Sequence, residues 1–239
     1  VLGVAVMDRD RELLEFMGQW RFMVLGQVQR FLGSSYRVAA RRAQVLVKLG
    51  LVQVSVPLGD QRKAYWVSYD GLRFLGIEPE RSSRGAGPML SQFDHDRILV
   101  DIALDFRQRS PEFSIYGEAG MRRLDTMRLA DGEEPEFALS RYKFGKFIRV
   151  YPDMVAVGPG GRFYIEYEHT KKDRQRMHSL VSTMLNSEKV SAAKYYASHR
   201  AYPQLQRICS ESFPNMPLVG GKPKIQVELY DEQGSGEMS

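Results

Sequence analysis

Cysteine is nearly absent from this chain: Cys209 is the only one in 239 residues. A disulfide framework and a cysteine-based zinc site are thereby excluded, and a reducing, cytoplasmic setting is expected. Histidine is scarce as well. His95, His169, His178 and His199 lie scattered, with no two at ligand spacing on one expected face, which argues against a histidine-built metal centre. No apolar run approaches the length of a membrane span, so no membrane partner is expected. The opening "VLGVAV" is too short for a signal peptide and soon meets the charged run Asp8-Arg9-Asp10-Arg11. An initiator Met is missing, so the start is expected to be a trimmed one. A Walker loop, a G-x-S-x-G elbow, a dinucleotide fingerprint and internal repeats are all missing too.

What is present suits a folded protein with a proper core, since 43% of the residues are hydrophobic. The formal net charge is +5. Basic residues gather between Arg37 and Lys48 and again between Lys171 and Arg176. Local basic patches of this kind lean toward nucleic acid; with the winged-helix pattern that follows, double-stranded DNA is the expected partner.

Residues 8–77 read as one unit. "DRDRELLEFMGQW" carries Leu13, Leu14, Phe16 and Met17 at helical spacing, with Asp8 or Asp10 as cap. "FMVLGQVQRFLG" continues as a second helix ended by Gly33. "SSYRVAARRAQVLVKLGLV" is a third, opened by Ser34 or Ser35, with Val38, Val45, Leu46 and Leu49 on its apolar face. "LVQVSV" and "KAYWVS" alternate as strands around a turn. Three helices followed by a β-hairpin is the order of a winged helix-turn-helix, whose third helix enters the major groove. The exposed face of that helix is expected to present Ser35, Tyr36, Arg37, Arg41 and Arg42. Gln61, Arg62 and Lys63 would stand at the tip of the wing, within reach of phosphate. The competing reading is a solvated basic helix in a domain used for protein contacts.

Residues 78–92, rich in Gly, Ser, Pro and charge, read as a linker. A second domain, residues 93–231, is mixed α/β. "FDHDRILVDIALDFRQR" is an amphipathic helix, and "EFSIYGEAGMRRL" is an extended piece turning into a helix. "KFIRVYPDMVAV" reads as a strand, "GPGG" as a turn and "RFYIEYEHT" as the returning strand. A long helical region is expected from about residue 173 to 202, and "KIQVELYD" is a late strand.

The hairpin carries three acids. Strand residues two apart share a face, so Glu166 and Glu168 project together, and pairing about "GPGG" brings Asp153 to their level. Unpaired, such acids raise one another's pKa values, and a bound divalent cation removes that cost. Oxygen ligands of this kind suit Mg²⁺ or Mn²⁺. Beside DNA, such an ion activates water and offsets charge on the scissile phosphate, with Lys171 or Lys172 placed to orient the water or to neutralise the phosphate. To share one ion, the Asp153 and Glu166 carboxyls must lie within about 8 Å of each other, because metal–oxygen bonds are ~2.0–2.6 Å. The plainer alternative is one wet face of an antiparallel sheet.

Pro152-Asp153, a hairpin turn, and then Glu166-Tyr167-Glu168 resembles the PD-(D/E)xK nuclease-like motif. The resemblance implies a restriction-endonuclease-like α/β domain in which Asp153 and Glu166 bind the metal. The third position, normally Lys, is Glu168 here. Over residues 8–200, the winged-helix pattern with "HDRILVD", "YGEAGMRRL", "PDMVAV", "IEYEHTKK" and "KYYA" is similar to the replication-relaxation family and the MOB-C class of plasmid mobilisation relaxases. That similarity implies Glu118 as an extra metal-binding acid, and Lys194 and Tyr195 on a helix packed behind the site. Tyr195 and Tyr196 are also conceivable covalent nucleophiles, although aromatic residues at such positions are more often core.

The expected function is metal-dependent nicking or cleavage of plasmid or mobile-element DNA, catalysed by Asp153, Glu166, Glu168 and Lys171, in company with other mobilisation or replication proteins. The alternatives are a DNA-binding replication or transcription factor that retains the nuclease fold without its catalysis, and a protein serving mainly for assembly.

Overall fold

The structure, a computed structural model, describes residues 5–56, 62–78, 87–143 and 145–231. The chain is mixed α/β and divides into two compact units, residues 1–109 and 110–239. Among the described residues no helix is long and apolar enough to cross a membrane.

The first unit begins with α1, Asp8–Met17. Asp10 sits in its first turn and accepts the Met7 backbone N–H at 2.7 Å, so the cap is made from inside the helix. Leu13, Leu14 and Met17 are buried, as their spacing predicts. A short strand, β1 (Met23–Val24), leads into α2 (Leu25–Leu32), which stops at Gly33 in the left-handed conformation. Helix α3, Tyr36–Lys48, is capped by Ser35, whose hydroxyl accepts from the Val38 N–H. Strands β2 (Val52–Ser55) and β3 (Ala64–Val67) follow, and β1 joins them in an antiparallel sheet of order β1-β3-β2. A short helix, α4 (Tyr69–Phe74), is capped by Ser68.

The amphipathic stretch expected to open the second domain forms α5, Phe93–Arg109, but it belongs to the first unit. Gln27 donates to the Arg97 carbonyl at 2.8 Å, and Arg30 of α2 reaches Asp101 at 2.9 Å and Asp105 at 2.6 Å. Phe93 stacks on Phe22 with ring centroids 4.6 Å apart. The division therefore falls after Arg109 rather than at Phe93. Periodicity shows that a helix has an apolar stripe but not which unit the stripe covers.

The second unit is built on a five-stranded sheet of order β12-β9-β8-β7-β4. Strand β4 (Ser114–Gly117) runs into α6 (Glu118–Ala130), and a separate two-stranded hairpin follows, β5 (Leu139–Lys143) with β6 (Lys146–Val150). Strands β7 (Met154–Gly158) and β8 (Gly161–Glu168) form the acid-bearing hairpin. Gly158 pairs with Gly161, leaving Pro159-Gly160 as the two-residue turn; Gly160 takes φ +92°, a conformation that favours glycine. Helix α7 (Arg174–Asn186) crosses over to β9 (Ala192–Ala197), parallel to β8. Helix α8 (Tyr202–Ser212), a small β10–β11 pair (Leu218–Val219 with Lys222–Pro223) and β12 (Ile225–Leu229), parallel to β9, complete the unit.

Val155, Tyr164, Ala193, Tyr195 and Ile225 line one face of the sheet. They pack in one core with Met121 of α6, Met177, Val181 and Met184 of α7, and Leu205 and Ile208 of α8.

Two expected elements come out differently. Residues 146–157 are not one strand: the chain leaves β6 at Val150 and re-enters as β7 at Met154, in another sheet. Pro152 lies in the break, with no N–H to offer a ladder and a restricted residue before it. Residues 173–202 are not one helix either. The stretch Ala192–Ala197 is rich in alanine, a strong helix former, yet it is a strand with neighbours on both edges. Two ladders of hydrogen bonds outweigh local preference there.

Candidate functional site

The acid cluster begins with register. Met154 pairs with Ile165, so Asp153, one residue before β7, falls opposite Glu166. The Asp153 carboxylate accepts the Tyr167 backbone N–H at 2.9 Å and so occupies a place in the ladder that Pro152 and Asp153 leave open. Glu166 shares a hydrogen bond with Asp153, which puts the two carboxyls far inside the distance at which they can hold one ion.

Glu166 and Glu168 share a face of β8 with Tyr164, and both are buried. Burial pushes the Glu166 carboxyl well above the usual carboxylate range, and the charges of Asp153 and Glu168 push it the same way, while Lys172 opposes them. The competing reading, an ordinary wet face, is therefore not what the strand presents. Glu168 is 1% exposed and its Oε1 lies 2.6 Å from the Lys172 ammonium. Lys172 is held in place partly by its own carbonyl, which accepts from Gln204 of α8 at 2.7 Å.

Several expected residues stand elsewhere. Lys171 is exposed, and its neighbour Lys172 is the lysine at the acids. Glu118 opens α6 immediately after Gly117, which pairs with Met154, so it lies at the same end of the sheet as Asp153. Its carboxylate is nevertheless committed to Arg122 at 2.6 Å, and the Arg122 guanidinium lies 4.4 Å from the Tyr151 ring centre. Lys194 and Tyr195 are on strand β9, not on a helix. Tyr195 pairs in register with Glu166, is wholly buried, and donates its hydroxyl to the Met184 sulfur at 3.4 Å. Burial, with the nearby Glu166 and Glu168, holds that hydroxyl well above the usual tyrosine range. It is a core residue rather than a nucleophile. Tyr196 points to the other face and packs edge-on against Tyr230.

Sequence reasoning missed Asp125. This fully buried acid on α6 accepts the backbone N–H groups of Glu136, Phe137 and Ala138, at 2.6, 3.1 and 2.8 Å, and fixes the acidic loop ahead of β5. Its one legible signal was an acid placed on the apolar side of an amphipathic helix.

The residues present suit a divalent cation as a two-carboxylate pair, Asp153 with Glu166: hard oxygen donors, mutually repelling and largely withdrawn from water. Among the described residues no group of three or more His, Cys, Asp or Glu side chains is arranged to hold a metal ion; the third acid, Glu168, is paired with Lys172.

In the first unit, the cap residue Ser35 and Tyr36, Arg37 and Arg41 of α3 are all exposed. Arg37 and Arg41 are four residues apart and therefore neighbours on the helix surface. Arg42 does not join them. Its guanidinium forms an ion pair with the buried Asp10 and donates to the Ala5 carbonyl at 3.2 Å. The core side of α3 is Ala39, Ala43 and Leu46, while Val38 and Leu49 are exposed. Small alanines let the helix sit close, which an apolar-residue count does not register. Arg62 lies over the Phe93 ring at 5.3 Å and pairs with Asp94 at 3.6 Å; Lys63 is exposed; Gln61 lies outside the described residues.

Comparison with protein-family models, with curated proteins and with solved structures finds no match to this chain.

Proposed function

We propose that this protein binds duplex DNA through α3 and cleaves or nicks it with the acid cluster of β7 and β8, in the processing of plasmid or mobile-element DNA. In this reading the first unit is a winged helix-turn-helix and the second a nuclease-like domain. The observation that carries it is the convergence of Asp153 and Glu166, hydrogen-bonded to each other across the hairpin with Glu166 buried. Two carboxyls held together out of water cannot both stay charged without help: one keeps its proton, or a cation takes the proton's place, and the second case is the one proposed.

Asp153 and Glu166 would hold Mg²⁺ or Mn²⁺. Such an ion lowers the pKa of a bound water and offsets charge on the phosphate. Glu168 keeps the Lys172 ammonium beside the cluster, supplying from four residues downstream the positive charge that the third motif position lacks. Lys172 then serves where Lys171 was expected, as the group that orients water or meets phosphate. Exposed Arg37 and Arg41, with Ser35 and Tyr36, form the face offered to the groove, and Lys63 supports them from the hairpin.

A second reading rests on the same Glu168–Lys172 pair. If that pair is purely structural, the protein is a DNA-binding replication or transcription factor that keeps the fold without the catalysis. The two separate in one assay. Supercoiled plasmid is incubated with the protein and Mg²⁺ or Mn²⁺; nicking is expected, lost in Asp153→Ala while duplex binding persists. Duplex binding without nicking, in any divalent metal, leaves only the second reading.

A further inference from the structure

The β5–β6 hairpin carries a pair of aromatic rings that lie largely exposed. Phe147 is 73% exposed, the most exposed large apolar side chain among the described residues, and Tyr142 is 62% exposed. They are cross-strand partners, with ring centroids 5.2 Å apart and an edge-on geometry. Period-two alternation sorts the hairpin into two faces. Leu139, Arg141, Ile148 and Val150 share one; Leu139 is buried there, and Arg141 donates to the Ser179 hydroxyl of α7 at 3.0 Å. Ser140, Tyr142, Phe147 and Arg149 share the other, which is exposed at all four positions.

Residues 139–150 contain Arg141, Lys143, Lys146 and Arg149 and no acid. A cleft of about 920 Å³ lies where the opposite face of the hairpin meets α7, lined there by Arg141 and Ile148 with Ser179 and Thr183, and Tyr142, Phe147 and Arg149 stand at its border. Exposed rings interleaved with positive charge fit a polyanion that also offers flat apolar faces. A polynucleotide strand is such a ligand, and its bases stack on aromatic side chains with little regard to sequence. In a duplex those faces are hidden in the stack, so the matching ligand is unpaired. A second copy of this hairpin would bring like charges together and is a poorer match.

We propose that the exposed face of the β5–β6 hairpin binds a single strand of nucleic acid, with bases stacked on Tyr142 and Phe147 and a phosphate met by Arg149. This site is separate from the α3 face and from the acid cluster, and it stands whether or not the protein cleaves DNA.

The test is fluorescence anisotropy of the full chain with labelled oligo(dT), oligo(U) and a duplex of equal length. Tight binding of an unpaired strand is expected, weakened about tenfold or more when Tyr142→Ala and Phe147→Ala are combined, with duplex affinity unchanged. The oligo(dT) and oligo(U) arms separate DNA from RNA. Phe147→Trp is expected to keep the affinity, and its added fluorescence to be quenched by the strand. Arg149→Glu should weaken binding without disturbing the thermal melt. Unpaired-strand binding that is absent, or equal in the double variant and the parent, overturns the proposal. So does a concentration-dependent dimer abolished by the double variant, which would assign the patch to a second copy.

Discussion

The Lys172 ammonium lies 2.6 Å from Glu168 Oε1, and the carboxylate it meets is almost wholly buried. One charge of the pair is thus sealed in the fold while the other keeps partial access to water.

That asymmetry predicts the effect of removing the lysine. Lys172→Ala leaves Glu168 buried without its ammonium, and a broken buried pair costs about 3–5 kcal/mol when both partners are desolvated. Lys172 keeps some solvent exposure, so a loss of roughly 2–3 kcal/mol is expected from urea unfolding. Lys171→Ala, at an exposed position, should stay within about 0.5 kcal/mol of the parent. Equal losses in the two variants would show that the pair contributes no more than a surface charge.

Glu166 predicts a pH dependence. Burial and its acidic neighbours raise its carboxyl well above the usual range. The folded protein therefore keeps this proton at pH values where the unfolded chain, with a carboxyl near ~4.3, has lost it. The stability it lends is complete at low pH and is lost as pH rises through the raised value. Glu166→Gln mimics the protonated form and is expected to melt higher than the parent at pH 8 in EDTA, the difference closing toward pH 4. Added Mg²⁺ should raise the melting temperature of the parent and leave Glu166→Gln unmoved. Parallel melting curves at all pH values, with and without Mg²⁺, would falsify both the buried proton and the cation site.

Adjacent arginines on α3 should behave oppositely. Arg37→Ala with Arg41→Ala is expected to weaken duplex binding at low salt and to reduce the salt slope of log K by about 0.9 for each phosphate that is no longer neutralised. The melting temperature should hold. Arg42→Ala strands the buried Asp10 carboxylate, so its effect should appear in the melt first. Unchanged duplex affinity in the double variant would remove α3 from the interface.

The neighbouring residues Arg41 and Arg42 show where the sequence was legible and where it was not. Helical spacing is a local property: it located α3, α5 and the start of α1, and it set Arg37 beside Arg41. Only the tertiary ion pair with Asp10 separates Arg42 from them, and no local pattern records a partner 32 residues away. The same limit explains Lys171 and Lys172, two adjacent lysines distinguished only by which one meets Glu168.

By itself the sequence determined the acid hairpin, because strand period and a Pro-Gly turn are local and together place Asp153 opposite Glu166. Tertiary structure decided the rest of the site: that Ala192–Ala197 is a strand bringing Tyr195 beside Glu166, that Glu118 turns to Arg122, and that α5 belongs to the first unit. Those outcomes depend on competition among distant partners for the same edge, charge or apolar face. Burial and pairing settle that competition only after the chain has folded.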